Sequence, residues 1–489
     1  MNAGLLARLG PRAAAAAAAI GILAALPLLL PLWMWLPLIW FVTGGALLVR
    51  WIASAADPED RGILVAALIA GLAARAIMGW FVVDHPYRNS DTRLYWQLGT
   101  RLAALWSVPH SMHVDLVRTL GTGQAGYYVW VALHALIARE QLLVVASNCL
   151  VSGANGVLTY LVGRRAWSPF VGRVAALLVF TASGIIFSDA HNMRDVIVTF
   201  AGLLMVYGVQ LLADRWCVKG FLAVVLGIAI AVPVRPYVMA AYGPAVAIGL
   251  LVMRRTGRLA VLSVALILAG GAMAYVVSTS MFTTVSEAIG GGFGETVTTL
   301  LMIGNAGLTG GRAATSLLYG VQLRTLHDIL LYLPVGIVHI LFAPLPWKTY
   351  HIEWLFVPEG LVRYLLIPFV GIGAWEALKN GSWRRTFIVV FALAGMMLLY
   401  AVLELGGNVR HNEQFFPYYF ILGAIGIATA RRHGIELWVT YAFSSLALWA
   451  FGLGMRLSMR FMPLVLLLLG LWWLVTVRPW SQGARGGVT

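Results

Sequence analysis

The stretch GILVAALIAGLAARAIMGWFVV, residues 62–83, decides the fold class of this chain. It is apolar except for Arg75, and it is long enough to cross the hydrocarbon core of a bilayer, which takes about 20 helical residues. Similar stretches recur: 61% of the 489 residues are hydrophobic, 11% are charged, and the mean hydropathy is +0.85. Soluble domains are closer to half apolar, so we predict an all-α, polytopic transmembrane helical bundle.

The apolar segments divide the chain into four parts, with about 13 spans in all. Residues 1–61 are predicted to form an N-terminal transmembrane hairpin, and 62–279 the transmembrane core. Residues 280–355 form an external loop region with a re-entrant or peripheral helix, and 356–489 the C-terminal transmembrane helices. Within the core, 84–125 is predicted to lie outside the membrane and to include an amphipathic helix. Later spans are expected at 142–163, 169–187, 196–213, 220–234, 237–253, 259–279, 357–376, 386–403, 415–430, 436–453 and 462–477.

The formal net charge is +15, and its placement follows the predicted topology. Basic pairs fall in short connections at alternate span ends, which is the positive-inside pattern and puts both termini in the cytoplasm. We therefore expect a multi-pass protein of the bacterial inner membrane that contacts membrane lipids and no nucleic acid. The pairs are Arg164-Arg165, Arg254-Arg255, Arg384-Arg385 and Arg431-Arg432.

Metal-binding patterns are weak in this sequence. The two cysteines, Cys149 and Cys217, fall on opposite parts of the predicted fold and lack metal-site spacing. His110 and His113 are three residues apart, but two histidines without further ligands are a poor zinc signal. The sequence therefore predicts no cofactor, with a divalent metal left open.

Charged residues gather at the predicted external ends of the spans. Asp91, in SDTRLYWQLG (90–99), follows the first core span, and Tyr95 lies one helical turn after it. A carboxylate at the mouth of a membrane helix is costly unless it is used, so Asp91 is our candidate catalytic base. The other acidic residues at this level are Asp84, Asp189, Asp195, Glu404 and Glu413, and the arginines are Arg194, Arg235 and Arg410.

Carboxylates beside guanidinium groups suit chemistry on a lipid-linked phosphate. Arginine grips phosphate oxygens in a bidentate manner and stabilises a phosphate leaving group, while a carboxylate can deprotonate an acceptor hydroxyl. The alternative is that these residues form ion pairs that close the outer ends of the helices. Arg75, inside a span, is either a binding residue or a pairing partner within the bundle.

The order of these elements resembles the opening of the GT-C superfamily of membrane glycosyltransferases. The likeness is to the family-39 type, the relatives of protein O-mannosyltransferases and aminoarabinose transferases. It rests on Asp91 and Tyr95 after the helix that bears Arg75, and on Arg194-Asp195 further along. The resemblance covers residues 62–260, with later likenesses at VRPY (234–237), PLPWKTY (344–350) and NVRHNEQFFPYY (408–419).

The resemblance implies an inverting transfer of a hexosyl or pentosyl group from a polyprenyl-phosphate sugar. The acceptor would be a lipid, glycan or protein on the outer face. Asp91 would be the base, and Asp195 would assist or orient. Thr92 stands where the family has a second acidic residue, which argues against a metal-dependent mechanism. The residues implied to bind phosphate, sugar or acceptor are Arg194, Arg235, Arg410, Tyr95, His191, Arg75, Glu404 and Lys348.

Two other functions fit the same composition. A polysaccharide polymerase or O-antigen ligase shares the arginine and carboxylate chemistry but uses polyprenyl-diphosphate donors. A lipid or sugar transporter or flippase often has inverted repeats and broken helices at the membrane midplane. This sequence has no evident repeat, and its ionisable residues gather at one face. A glycosyltransferase of cell-envelope polysaccharide biosynthesis is therefore the favoured interpretation.

Overall fold

A computed structural model of the chain describes most of its predicted core. The described residues are helical almost throughout, with no strand among them, so the all-α class is confirmed for this part of the chain. The spans expected at 259–279, 436–453 and 462–477 lie outside the described residues, as does most of 280–355. The described residues are 34–84, 90–106, 125–214, 216–253, 333, 336–337, 340–341, 357–379, 383–403 and 413–432.

The helices follow the predicted spans closely where both can be compared. Their bounds, in chain order, are α1 Trp35–Ala55, α2 Pro58–Asp84, α3 Ser90–Trp106, α4 Ala125–Ile137, α5 Gln141–Ala166, α6 Pro169–Thr181, α7 Ser183–Asp189, α8 Asp195–Asp214, α9 Val218–Val234, α10 Met239–Met253, α11 Val357–Lys379, α12 Trp383–Leu403 and α13 Phe416–Arg432, with a 3-10 turn at Pro236–Val238. The span predicted at 169–187 differs: it is two helices, α6 and α7, bent by 57°.

Five of the described helices are long and apolar enough to cross a membrane. The bent pair α6–α7 makes a sixth if it forms one span. These features agree with an integral membrane protein. The total of about 13 spans stays a prediction, since much of the chain lies outside the described residues. The five are α1, α2, α5, α8 and α11.

One end of the bundle is tied by arginine–aspartate pairs, and we call it the basic end. Arg164 lies 2.7 Å from Asp57, and Arg165 pairs with Asp214. The remaining pairs are Arg173–Asp60 at 2.6 Å and Arg385–Asp214 at 3.0 Å. The pairs join the end of α5 to the start of α2 and to the end of α8, the start of α6 to that of α2, and the start of α12 to the end of α8. Arginines from several helix ends therefore meet at one end of the bundle.

α3 forms within the segment predicted to hold an amphipathic helix. The predicted apolar stripe is Leu94, Leu98, Leu102 and Leu105: Leu102 is buried, Leu98 and Leu105 are half-buried, and Leu94 is 44% exposed. Tyr95 is buried as well, because α4 packs on this side of α3, where the rings of Tyr95 and Tyr127 lie 4.9 Å apart.

A glycine brings α4 close to the end of α9. A Cβ at Gly126 would lie 2.7 Å from the backbone carbon of Pro233, so a larger residue would push the two helices apart. The contact places Tyr127 and Tyr128 beside the chain segment in which Arg235 follows α9. Two tyrosines and an arginine are thereby set at the end of the bundle opposite the basic end.

Candidate functional site

The loop Ala190–Arg194, between α7 and α8, lies at the end of the bundle that we call the site end. The basic end is at the other terminus of α8, where Asp214 pairs. The loop is fixed from α5 by the Asn148 amide, which donates to the carbonyl oxygens of His191 at 2.9 Å and Met193 at 3.1 Å. From α4, the Tyr127 hydroxyl donates to Asn192 Oδ1 at 2.8 Å.

Asp195, at the start of α8, is the centre of a buried network. It accepts from Arg235 Nη1 at 2.6 Å and from the Gln414 amide at 2.5 Å. Tyr400 closes the ring: its hydroxyl accepts from Arg235 at 3.1 Å and donates to Gln414 Oε1 at 2.5 Å. All four side chains are buried. The network therefore ties α8, α9, α12 and the start of α13 together, and the Asp195 carboxylate is committed to it.

The guanidinium of Arg75 also has its partners within the protein. Its side chain is 1% exposed, and it lies 4.0 Å from the Asp189 carboxylate. This arrangement supports the pairing role that the sequence left open beside ligand binding, since little donor capacity is left for a ligand. Its acceptors are Ser152 Oγ at 2.7 Å and the carbonyl oxygens of Gly71, Val179 and Phe180 at 3.1, 3.0 and 2.9 Å.

A third buried pair joins Glu359 and Arg363 on α11. The carboxylate and guanidinium lie 3.6 Å apart, four residues along the helix. Glu359 Oε2 also accepts from the Ile185 N–H at 3.1 Å, and Arg363 lies 4.8 Å from the Phe416 ring centre. Sequence reasoning did not single out this pair. Its i,i+4 spacing in an apolar helix was the available signal.

Arg194 differs from the other buried arginines of the described part, which are Arg75, Arg235 and Arg363. It is 8% exposed, and its guanidinium donates no hydrogen bond and forms no ion pair with any residue that the structure describes. Its neighbour is the Tyr95 ring, with 5.9 Å between the guanidinium carbon and the ring centre. A largely buried cation with five N–H donors and no protein acceptor suits an anionic ligand.

Three tyrosines, Tyr95, Tyr127 and Tyr128, pack together beside Arg194, and we call them the three-tyrosine cluster. The rings of Tyr95 and Tyr128 lie 6.0 Å apart, and Tyr95 also contacts Tyr127. Burial raises the pKa of Tyr128, while Arg194 lowers it and Asp91 raises it further, so both charges act on this phenol. Asp91 is half-buried and lies one turn before Tyr95 on α3. Arg194 therefore lies against this cluster, and Asp91 is on the helix that carries Tyr95.

Glu413 is a further buried carboxylate at this end, just before α13. Burial raises the pKa of Glu413 well above its usual range, and the nearby Asp189 raises it further. Neither carboxylate oxygen makes a well-formed hydrogen bond, although Ser188 is close enough to favour the charged form. The carboxyl therefore keeps its proton to a higher pH than an exposed glutamate does.

His191 lies in the loop, but its ring is turned into the protein. Nδ1 is 2.7 Å from the Phe187 carbonyl oxygen, and the ring lies 4.5 Å from the Phe187 ring. Three other predicted binding residues, Arg410, Glu404 and Lys348, lie outside the described residues. The side chain of Asp84 is not described either.

No group of three or more metal-ligating side chains is placed to hold an ion within the described part of the chain. No protein-family model matches the sequence, and no curated protein matches it. The arrangement of side chains at the site end is therefore the guide to the function of this protein.

Proposed function

We propose that this protein is a membrane glycosyltransferase that moves a sugar from a polyprenyl-phosphate donor to an acceptor hydroxyl. The observation that carries the proposal is Arg194, a largely buried guanidinium without an acceptor among the described residues. It lies against Tyr95, on the helix that carries Asp91 one turn earlier. A cation for a phosphate and a carboxylate for a hydroxyl are the two charges that this transfer needs.

Asp91 and Arg194 supply the proton acceptor and the phosphate-binding group for the transfer. The acceptor oxygen attacks the anomeric carbon of the donor, and Asp91 takes the hydroxyl proton. The bond from the anomeric carbon to the phosphate oxygen breaks, and polyprenyl phosphate leaves with the electron pair. Arg194 binds the phosphate oxygens and stabilises the charge that develops on the leaving group. Attack opposite the leaving group inverts the configuration of the sugar.

Asp195 and Arg235 have an orienting role in this proposal. Their side chains neutralise each other at 2.6 Å and also hold Gln414 and Tyr400. Since Arg194 and Asp195 are adjacent in the chain, the network fixes the backbone from which the Arg194 side chain extends. Asp195 therefore has the assisting or orienting role that we expected from the sequence. Phosphate binding is assigned to Arg194 and not to Arg235, whose guanidinium is held by Asp195.

The proposal predicts a large kinetic effect and a small stability effect for Arg194→Met. Turnover of polyprenyl-phosphate sugars should fall about a hundredfold to a thousandfold, which is typical for the loss of a group that stabilises developing charge. Thermal stability should stay close to that of the wild type, because Arg194 has no acceptor within the described residues. Purified protein in lipid nanodiscs with radiolabelled donors would give both quantities.

Arg93→Met is the matched control, because Arg93 is exposed on the same helix as Asp91. It removes the same charge near the same end of the bundle and should leave turnover within about threefold. Wild-type turnover in Arg194→Met would remove the phosphate-binding assignment.

A further inference from the structure

The break between α6 and α7 is held from two sides by oppositely charged side chains. The two helices meet at Ala182, whose backbone is extended with φ −62° and ψ 119°, and they are bent by 57°. Such a break leaves carbonyl groups at the end of one helix and N–H groups at the start of the next without helical partners. In a membrane these groups need partners from elsewhere in the protein.

Arg75 supplies the partners for the end of α6. Its Nη1 donates to the Phe180 carbonyl at 2.9 Å and its Nη2 to the Val179 carbonyl at 3.0 Å. A Cβ at Gly71 would lie 2.6 Å from the Phe180 carbonyl oxygen, so glycine lets α2 come this close to α6. A cation at the negative end of a helix is also favourable electrostatically.

Glu359 supplies the partner for the start of α7. Its Oε2 accepts from the Ile185 N–H at 3.1 Å, in the first turn of that helix. The carboxylate comes from α11, a separate span, and it is buried. A negative group at the positive end of a helix completes the pattern. The break is therefore capped on both sides by helices that are distant in the sequence.

Ser152 links the cap to the other end of α7. Its hydroxyl accepts from Arg75 Nε at 2.7 Å and donates to the Asp189 carboxylate. Asp189 is the last residue of α7 and directly precedes the loop Ala190–Arg194. Arg75 thus contacts the helix before the break and, through Ser152, the residue from which the loop leaves.

We propose that Arg75 and Glu359 are positioning residues that hold α7 at a fixed angle, and so place Arg194 opposite Asp91. Neither touches the donor. That these residues position catalytic groups rests on the proposed glycosyltransferase function. The contacts that Arg75 and Glu359 make on either side of the break, which we call the clamp, are a property of the fold. Misplacing a catalytic group by about 1 Å can cost on the order of a hundredfold in rate.

The clamp is tested by hydrogen exchange measured by mass spectrometry on the full chain in nanodiscs. In Arg75→Lys, one ammonium replaces the fork that reaches two carbonyl groups, so peptides covering 183–194 should exchange on the order of tenfold faster. Glu359→Leu should have the same effect on 183–194, and because it also removes the carboxylate beside Arg363, peptides of α11 should exchange faster too. Glu359→Gln keeps an acceptor for the Ile185 N–H and should restore most of the protection. Peptides of α9 and α10 should be unchanged in all three.

Two further variants serve as a negative control and as a milder test of the clamp. Asp57→Asn breaks a half-exposed pair at the basic end and should leave 183–194 unchanged. Ser152→Ala removes only one hydroxyl, so it gives a folded protein with faster exchange at 183–194 even if Arg75→Lys does not fold. Unchanged exchange at 183–194 in both Glu359→Leu and Ser152→Ala would overturn the clamp, whatever the activity of the protein.

Activity measurements separate positioning from binding. Arg75→Lys and Glu359→Leu should lower kcat about tenfold to a hundredfold and change the donor KM less than about threefold, with Glu359→Gln close to the wild type. A rise in KM alone would make Arg75 a binding residue and overturn the positioning role. Local exchange changes in a protein that turns over no donor would instead support the clamp and contradict the proposed function.

Discussion

Asp91→Asn lowers sugar transfer by about a hundredfold to ten-thousandfold, the range expected when a general base is lost. Asparagine has nearly the same shape but cannot accept the proton of the acceptor hydroxyl. The fold should not change, because α3 is held by Tyr95 and Leu102 on its buried face. Single-turnover transfer from a radiolabelled donor, with protein and donor both in nanodiscs, measures the chemical step.

Glu140→Gln is the control for Asp91→Asn. It removes a carboxylate in the same isosteric way at the N-cap of α5, where the side chain makes no capping hydrogen bond. Transfer should stay within about threefold of the wild type in this variant. If Asp91→Asn transferred sugar as fast as Glu140→Gln does, Asp91 would not be the base.

Asp195→Ala destabilises the protein by about 3–5 kcal/mol, because it leaves a buried guanidinium without its counter-ion. Arg235 would lose the carboxylate that lies 2.6 Å from its guanidinium, and Gln414 would lose the acceptor that lies 2.5 Å from its amide. Thermal unfolding followed by size-exclusion chromatography in detergent measures the loss.

A double substitution shows how much of this loss of stability comes from the unpaired buried charge and how much from lost packing. Asp195→Leu combined with Arg235→Met removes both charges and should recover most of the stability that Asp195→Ala loses. Asp214→Ala provides the comparison at the basic end, where the carboxylate is 35% exposed and the pairs should contribute at most about 1 kcal/mol. Equal losses in Asp195→Ala and Asp214→Ala would show that the buried network does not stabilise the fold.

Hydropathy predicted the helices well because a long apolar run has few alternatives in a bilayer. The run predicted at 142–163 is α5, and the run at 196–213 is α8. The same property hides which face of a helix is buried, since lipid and protein interior are both apolar. The bend at Ala182 was missed although Thr181, Ser183 and Gly184 flank it, because the apolar residues on both sides favoured one continuous span.

The sequence located the charged residues of the site end but did not distinguish their roles. Arg194, Arg235 and Arg75 were all candidates for ligand binding. The structure separates them by partners: Arg235 has Asp195, Arg75 has Ser152 and two carbonyls beside the break, and Arg194 has no acceptor in the described part of the chain. Contacts between residues far apart in the chain decide this difference, and no short motif records them.

The most direct test of the glycosyltransferase proposal is the identity of the lipid product. Purified protein would be given a panel of polyprenyl-phosphate and polyprenyl-diphosphate sugars with envelope lipid and glycan acceptors, and the released lipids would be measured by mass spectrometry. We expect at least one monophosphate donor to yield free polyprenyl phosphate together with a glycosylated acceptor, and Arg194→Met to suppress both. Release of polyprenyl diphosphate only, from the diphosphate donors, would contradict the proposal and favour a polymerase or ligase.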